Sequence, residues 1–183
     1  MRRIAVVLAT ALVLPAGLNA QSDQEIIDKA TAAAPGRARD AVTVISWNAD
    51  HSYRVVREGT NQLVCYDRSS ENRRAPFDVQ CTNLGNLERV AQNREFRAAS
   101  ADRDAENVLL AAAEADGTRV LPEYGSVWIL MRGEDQGSAG IHTTIAMPGA
   151  TTESSGFPED RSGGGAYIMS AGTSTAHLMV PGR

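Results

Sequence analysis

The sequence is poor in the residues that most often carry chemistry. Its 183 residues include two cysteines, three histidines and a single lysine, Lys29. The first cysteine is Cys65, so no cysteine near the N-terminus is available for a lipid anchor. Fifteen residues, Tyr66 to Gln80, separate Cys65 from Cys81, which argues against a redox-active C-x-x-C pair. No G-x-S-x-G segment is present, so the nucleophile elbow of the α/β-hydrolases is excluded. Gly163-Gly164-Gly165 precedes a strand-like run rather than opening a helix, and so lacks the geometry of a phosphate cradle. No run after the first twenty residues is long and apolar enough to span a bilayer, and no solenoid period appears.

Those first twenty residues have a layout of their own. Arg2 and Arg3 precede an apolar stretch from Ile4 to Leu14, Pro15 and Gly17 break it, and Leu18-Asn19-Ala20 offers a small residue before Gln21. This is the pattern of a secretory signal peptide, too short to be a membrane span. The expectation is residues 1–20 as signal peptide and 21–183 as one secreted domain, periplasmic or released, with no membrane insertion after cleavage. Removing 20 of the 183 residues leaves 163, enough for a single core. The removed segment holds two of the 18 basic residues and none of the 22 acidic ones, so the remainder carries a formal charge of −6. That sign excludes a general nucleic-acid binder. In an oxidising compartment the default for Cys65 and Cys81 is a structural disulfide, worth about 3 kcal/mol for a loop of this length.

Along the chain, Ser22 and Glu25 have capping-box spacing, and the apolar stripe from Ile26 to Ala34 predicts a helix over 22–34 that Pro35-Gly36 stops. Residues 41–47 and 53–57 read as a hairpin around the turn formers 48–52, and Gly59-Thr60-Asn61 as a second turn leading to a strand over 63–66. The polar stretch 67–78, with Pro76, reads as a surface loop. Leu84, Leu87, Val90 and Ala91 repeat at helical spacing. Ser100 is placed to cap a further helix, with Ala105, Val108, Leu109, Ala112 and Ala113 as its buried stripe, Gly117 as its end, and its charged residues in solvent. Four apolar or alternating runs follow, at 127–131, 141–147, 166–169 and 176–180, separated by Gly/Ser-rich segments that include a long excursion over 154–165. The fold class expected is α+β, a single domain with an antiparallel sheet of about five to seven strands and two or three packing helices.

The C-terminal third contains Gly140-Ile141-His142, Met147-Pro148, Gly156-Phe157-Pro158-Glu159-Asp160 and Ala171-Gly172-Thr173, and ends in Ala176-His177-Leu178-Met179-Val180-Pro181. With Arg57-Glu58-Gly59-Thr60-Asn61 ahead of Cys65, it resembles a family of uncharacterised bacterial secreted proteins. Members of that family carry R-x-G-[ST]-N-G-W-x-C and end in G-T-P-Y-A-H-[IL]-M-[VI]-P. The resemblance covers most of the chain after residue 20 and implies relatedness without an activity. Two departures stand out: Gln62-Leu63-Val64 replaces the Gly-Trp segment, and Ser174-Thr175 replaces Pro-Tyr.

Chemistry, if there is any, has few residues to use. His142 and His177 each begin a strand-like run, and pairing of the two strands would put both imidazoles on one sheet. With the methionines of this third, Met131, Met147, Met169 and above all Met179, which shares a strand face with His177, they would make a soft ligand set suited to copper or zinc. His142 or His177 could instead serve as base in a small hydrolase, with Ser174 or Asp160 as accompanying groups. The leading expectation from sequence is a non-catalytic exported domain, without a bound cofactor, that binds a small molecule or an envelope component.

Overall fold

The computed structural model describes residues 21–180; the signal-peptide reading of residues 1–20 lies outside the described residues. Ser22 caps α1 (Asp23–Ala30) as expected: its hydroxyl accepts from the Glu25 amide, and the Glu25 carboxylate accepts from the Ser22 amide at 2.8 Å. A 3₁₀ turn, Thr31–Ala33, continues it. The chain then builds β1 (Thr43–Trp47), β2 (Tyr53–Arg57), β3 (Leu63–Asp67) and β4 (Phe77–Asn83). Two helices follow, α2 (Leu87–Ala98) and α3 (Arg103–Asp116). Four strands close the fold: β5 (Val127–Gly133), β6 (Gly140–Ala146), β7 (Tyr167–Met169) and β8 (His177–Val180), with the short α4 (Thr152–Ser155) between β6 and β7.

All eight strands form one sheet in the order β2-β1-β3-β4-β5-β6-β8-β7. The α+β class is as expected, with one more strand than the upper expectation and one parallel pairing. β1 and β2 form the expected hairpin, but β3 pairs with the other edge of β1, in parallel. Gly59 makes this possible. A Cβ there would lie 2.3 Å from the Thr43 amide nitrogen, and the adjoining Thr60 and Asn61 amides both donate to the Ala41 carbonyl. Only glycine lets the chain cross so close to the end of β1.

The pleat divides the sheet into two unlike faces. On one, Cys65, Val79, Cys81 and Ile129 pack with Val44 against Ala30, Ala33 and Ala34 of the first helical segment. Cys65 and Cys81 sit directly opposite each other on β3 and β4, with Cα atoms 4.1 Å apart, and are disulfide-bonded. Farther along this face, Ile168 and Leu178 pack with Ala150 and Ala176. On the other face, Ile45, Val64 and Tyr66 pack against Leu87 and Val90 of α2, with Trp47 and Trp128 at the edges.

The stretch 67–78 is a surface loop only in part, with Ser70, Asn72, Arg73 and Pro76 exposed. Its end belongs to β4, whose Phe77, Val79 and Cys81 point to the disulfide face and whose Asp78, Gln80 and Thr82 point to the α2 face. Its middle is folded inward by charge. The Glu71 carboxylate receives Arg94 at 2.6 Å and Arg97 at 2.5 Å, with Arg74 at 3.4 Å and Arg68 at 3.8 Å. Glu106 of α3 receives Arg73 at 2.8 Å and Arg97 at 3.2 Å. The expectation that the charged helix faces are solvated is therefore corrected for Arg89, Arg97 and Glu106, all buried. α3 is capped by Asp102, not Ser100; the Asp102 side chain accepts from the Ala105 amide, while the Ser100 hydroxyl donates to the Phe96 carbonyl. Its inward face also differs from the expected stripe: Val108 and Ala112 are exposed, and Glu106 and Ala113 face inward.

Candidate functional site

Beyond Leu87 and Val90, α2 and α3 stand off the sheet and leave a half-open groove of about 560 Å³. Its floor is the polar face of the sheet: Gln80 of β4, Trp128 of β5, Thr144 and Ala146 of β6, and His177 of β8. Arg89, Asn93 and Arg97 of α2 form one wall and Leu110 and Glu114 of α3 another, while Arg119 and Pro122 come from the link to β5. The β7–β8 turn closes one end with Ser170, Thr173 and Thr175. Ser170, at φ 57°, and Gly172, at φ 75°, both take left-handed backbone to bend this turn tightly, and Ser170 is one of three non-glycine residues among those described to do so.

The sequence candidates separate here. His177 faces the groove, and its Nδ1 lies 2.7 Å from the Thr175 carbonyl. A carbonyl only accepts, so Nδ1 carries a hydrogen, and whenever the ring is neutral Nε2 is the acceptor. Ser174 sits at the rim, but its hydroxyl is hydrogen-bonded to Glu114. His142 is on the same sheet face, since Ala146 is opposite His177 and His142 precedes Ala146 by four residues. Four residues of strand is about 13 Å, so the two histidines do not share a point. Burial, then the charges of Arg132 and His177, hold His142 below the ordinary imidazole value, with Asp78 opposing. Asp160 lies in the excursion between β6 and β7, where it caps a 3₁₀ turn; its bonds to Ser162 keep its carboxyl below the usual carboxylate range. Met179 shares the face of His177, opposite Thr144. Among the described residues no group of three or more His, Cys, Asp or Glu side chains is arranged to hold a metal ion.

What sequence reasoning missed are the arginines. Arg89, 4% exposed, donates to the Val120 carbonyl and to the Thr175 hydroxyl at 3.1 Å. Arg119, 7% exposed, donates to Gln92 and to Asn93 at 2.5 Å, and its guanidinium lies 5.7 Å from the Phe96 ring centre. Neither has a carboxylate within ion-pair distance among the described residues, and the Arg119 Nε is buried without a partner. Burial and then the charge of Arg119 push Arg89 down to about 10, with Glu114 opposing; burial lowers Arg119 as well. A hint lay in the composition, because a planar five-donor guanidinium, unlike an ammonium, suits buried and interface sites, and all but one of the basic residues are arginine.

No family model, curated protein or solved structure matches this chain. Among the described residues no helix is long and apolar enough to cross a membrane.

Proposed function

We propose that the protein is an exported binding domain, related to the secreted bacterial family it resembles, and that it holds a small molecule or a fragment of an envelope component in the groove between α2, α3 and the sheet. The observation that carries this is the groove itself. Its volume of about 560 Å³ falls within the range of small-molecule sites, and it combines an apolar surface from Trp128 and Leu110 with converging polar groups from Arg89, Asn93 and Thr175. Export is supported by the Cys65–Cys81 disulfide together with the pattern of residues 1–20. The test is a thermal-shift screen of small metabolites and envelope fragments. A ligand of the groove raises Tm by mass action without being consumed, and Leu110→Trp, which plugs the groove from α3, removes the shift. A screen with no shift, or a shift indifferent to Leu110→Trp, overturns the reading.

The tautomer of His177 favours a second reading, a small hydrolase with Nε2 as base. Binding is preferred because Ser174 is bonded to Glu114, and no serine or threonine hydroxyl is hydrogen-bonded to His177 among the described residues. In the hydrolase reading, His177→Gln abolishes turnover of an ester or amide with Tm unchanged; turnover that survives the substitution ends it.

A further inference from the structure

Burying a guanidinium is costly unless an anion compensates it, and hydrogen bonds to neutral oxygens compensate it only in part. Elsewhere around α2 the chain meets this requirement itself, through Glu71 and Glu106. At the junction of α2, the α3–β5 link and the β7–β8 turn it does not. There Arg89 and Arg119 are both more than nine-tenths buried, both line the groove, and both are bonded only to neutral groups among the described residues. Each uses two of its five N–H donors on the contacts described above, which leaves capacity for an acceptor. The nearest acid, Glu114, is turned to Ser174. The groove is lined by four arginines and two glutamates, in a chain whose formal net charge is −4. A local cationic excess in a concave, partly dry site attracts anions against the overall charge.

Resting on the groove-binding reading above, we propose that Arg89 and Arg119 bind the anionic group, carboxylate or phosphate, of an organic ligand whose apolar body lies along Trp128 and Leu110. The Thr175 hydroxyl, already held by Arg89, is the neutral group best placed to join them. A guanidinium pair can meet a carboxylate or a phosphate through paired N–H bonds, which supplies orientation as well as affinity.

The test titrates the chain lacking residues 1–20 with three probes at constant ionic strength set by chloride: inorganic phosphate, 3-phenylpropionate and the uncharged 3-phenylpropanamide. Tm and tryptophan fluorescence are followed. The expected result is a rise in Tm with phosphate or 3-phenylpropionate and binding of the amide about 10-fold weaker or worse, as loss of a charge-assisted contact requires. A response to the carboxylate alone assigns the site to organic acids, and a response to phosphate alone to phosphorylated compounds. Glu114→Gln, at an exposed position, removes the nearest competing charge and tightens anion binding by about threefold. Arg119→Met abolishes the anion response. The amide binding as tightly as the acid, with both lost in Leu110→Trp, overturns the anion site and leaves groove binding intact. No response to any probe overturns the anion site, and the envelope-fragment screen then decides the broader reading separately. An anion response unchanged in both Glu114→Gln and Arg119→Met also overturns it.

Discussion

Two groups of buried or half-buried arginines lie around α2, the first joined by the exposed Arg73, and they are satisfied in different ways. On one side Arg68, Arg74, Arg94 and Arg97 converge on Glu71, and Arg73 joins Arg97 on Glu106. On the other, Arg89 and Arg119 have only carbonyl, amide and hydroxyl oxygens. The first group ties the segment between β3 and β4 to both helices, and each of its arginines reaches a carboxylate of the chain, although the Arg94 Nε and both Asp78 carboxylate oxygens are buried without hydrogen-bond partners. The second is more deeply buried than most of the first and has no carboxylate partner among the described residues. Burial of arginine here is therefore not one phenomenon: the first group is paired with carboxylates of the chain, although Arg97 of that group also lines the groove, while Arg89 and Arg119 line it without such a partner among the described residues and are the pair we propose to hold an anion.

The comparison can be broken most forcefully at Glu71. Glu71→Ala leaves several buried guanidinia facing one another without their anion, and should cost about 3–5 kcal/mol in urea unfolding. A loss below about 1 kcal/mol would mean the cluster is as incomplete as the groove. Reduction of Cys65–Cys81 should cost about 3 kcal/mol, from the freedom restored to the unfolded chain. Because the disulfide lies on the opposite face of the sheet, ligand affinity of the groove should not change. A change in affinity would show that the two faces are not independent.

Asp78 sharpens the account of the Glu71 cluster, because it is that cluster's least satisfied member. It is 1% exposed, and both carboxylate oxygens lack hydrogen-bond partners, with Arg68 no closer than 3.8 Å. Burial raises its pKa, against the opposing charges of Arg68 and Arg74. The folded state therefore binds the proton more readily than the unfolded state. The stabilisation this brings is full below the ordinary value of 3.8 and is lost as pH rises through the folded value. Asp78→Asn should consequently be no less stable than the parent at pH 7, and the parent should gain on it as pH falls towards 4. The smallest effect is expected at His142, held below the ordinary 6.5 by burial, Arg132 and His177. Here the unfolded state binds the proton more readily, so the parent should lose stability relative to His142→Gln as pH falls below 6.5. No relative change between pH 7 and 5 would show that His142 is not buried among cations.

Local signals carried most of the fold. The capping box at Ser22, the hairpin of β1 and β2, and the four C-terminal strands all rest on caps, turn formers and short periodicities within a few residues of one another. β4 was hidden because its alternation serves two buried faces: Asp78, Gln80 and Thr82 look like solvent positions but lie under helices and beside the groove. The parallel pairing of β3 with β1 was hidden because it depends on the backbone of Gly59 meeting residues sixteen positions earlier. Of the candidate site, His177 was legible from its strand, and Ser174 reached the rim. Arg89 and Arg119 were not, since on a helix or in a link an arginine reads as a solvated side chain until the sheet beneath it is known. The inward face of α3 was hidden for the same reason. Glu106 faces inward because Arg73 and Arg97 reach its carboxylate, a long-range contact that the local apolar spacing of α3 does not reveal.

The most direct test of the contrast is the phosphate and 3-phenylpropionate dependence of unfolding free energy in two variants, Arg119→Met and Arg94→Met, compared at constant ionic strength. The account predicts that Arg119→Met loses the anion-dependent stabilisation while Arg94→Met, which removes one donor from the Glu71 cluster, keeps it at a lower baseline. Equal anion dependence in the two variants would contradict the division of the buried arginines into a structural group and a binding group.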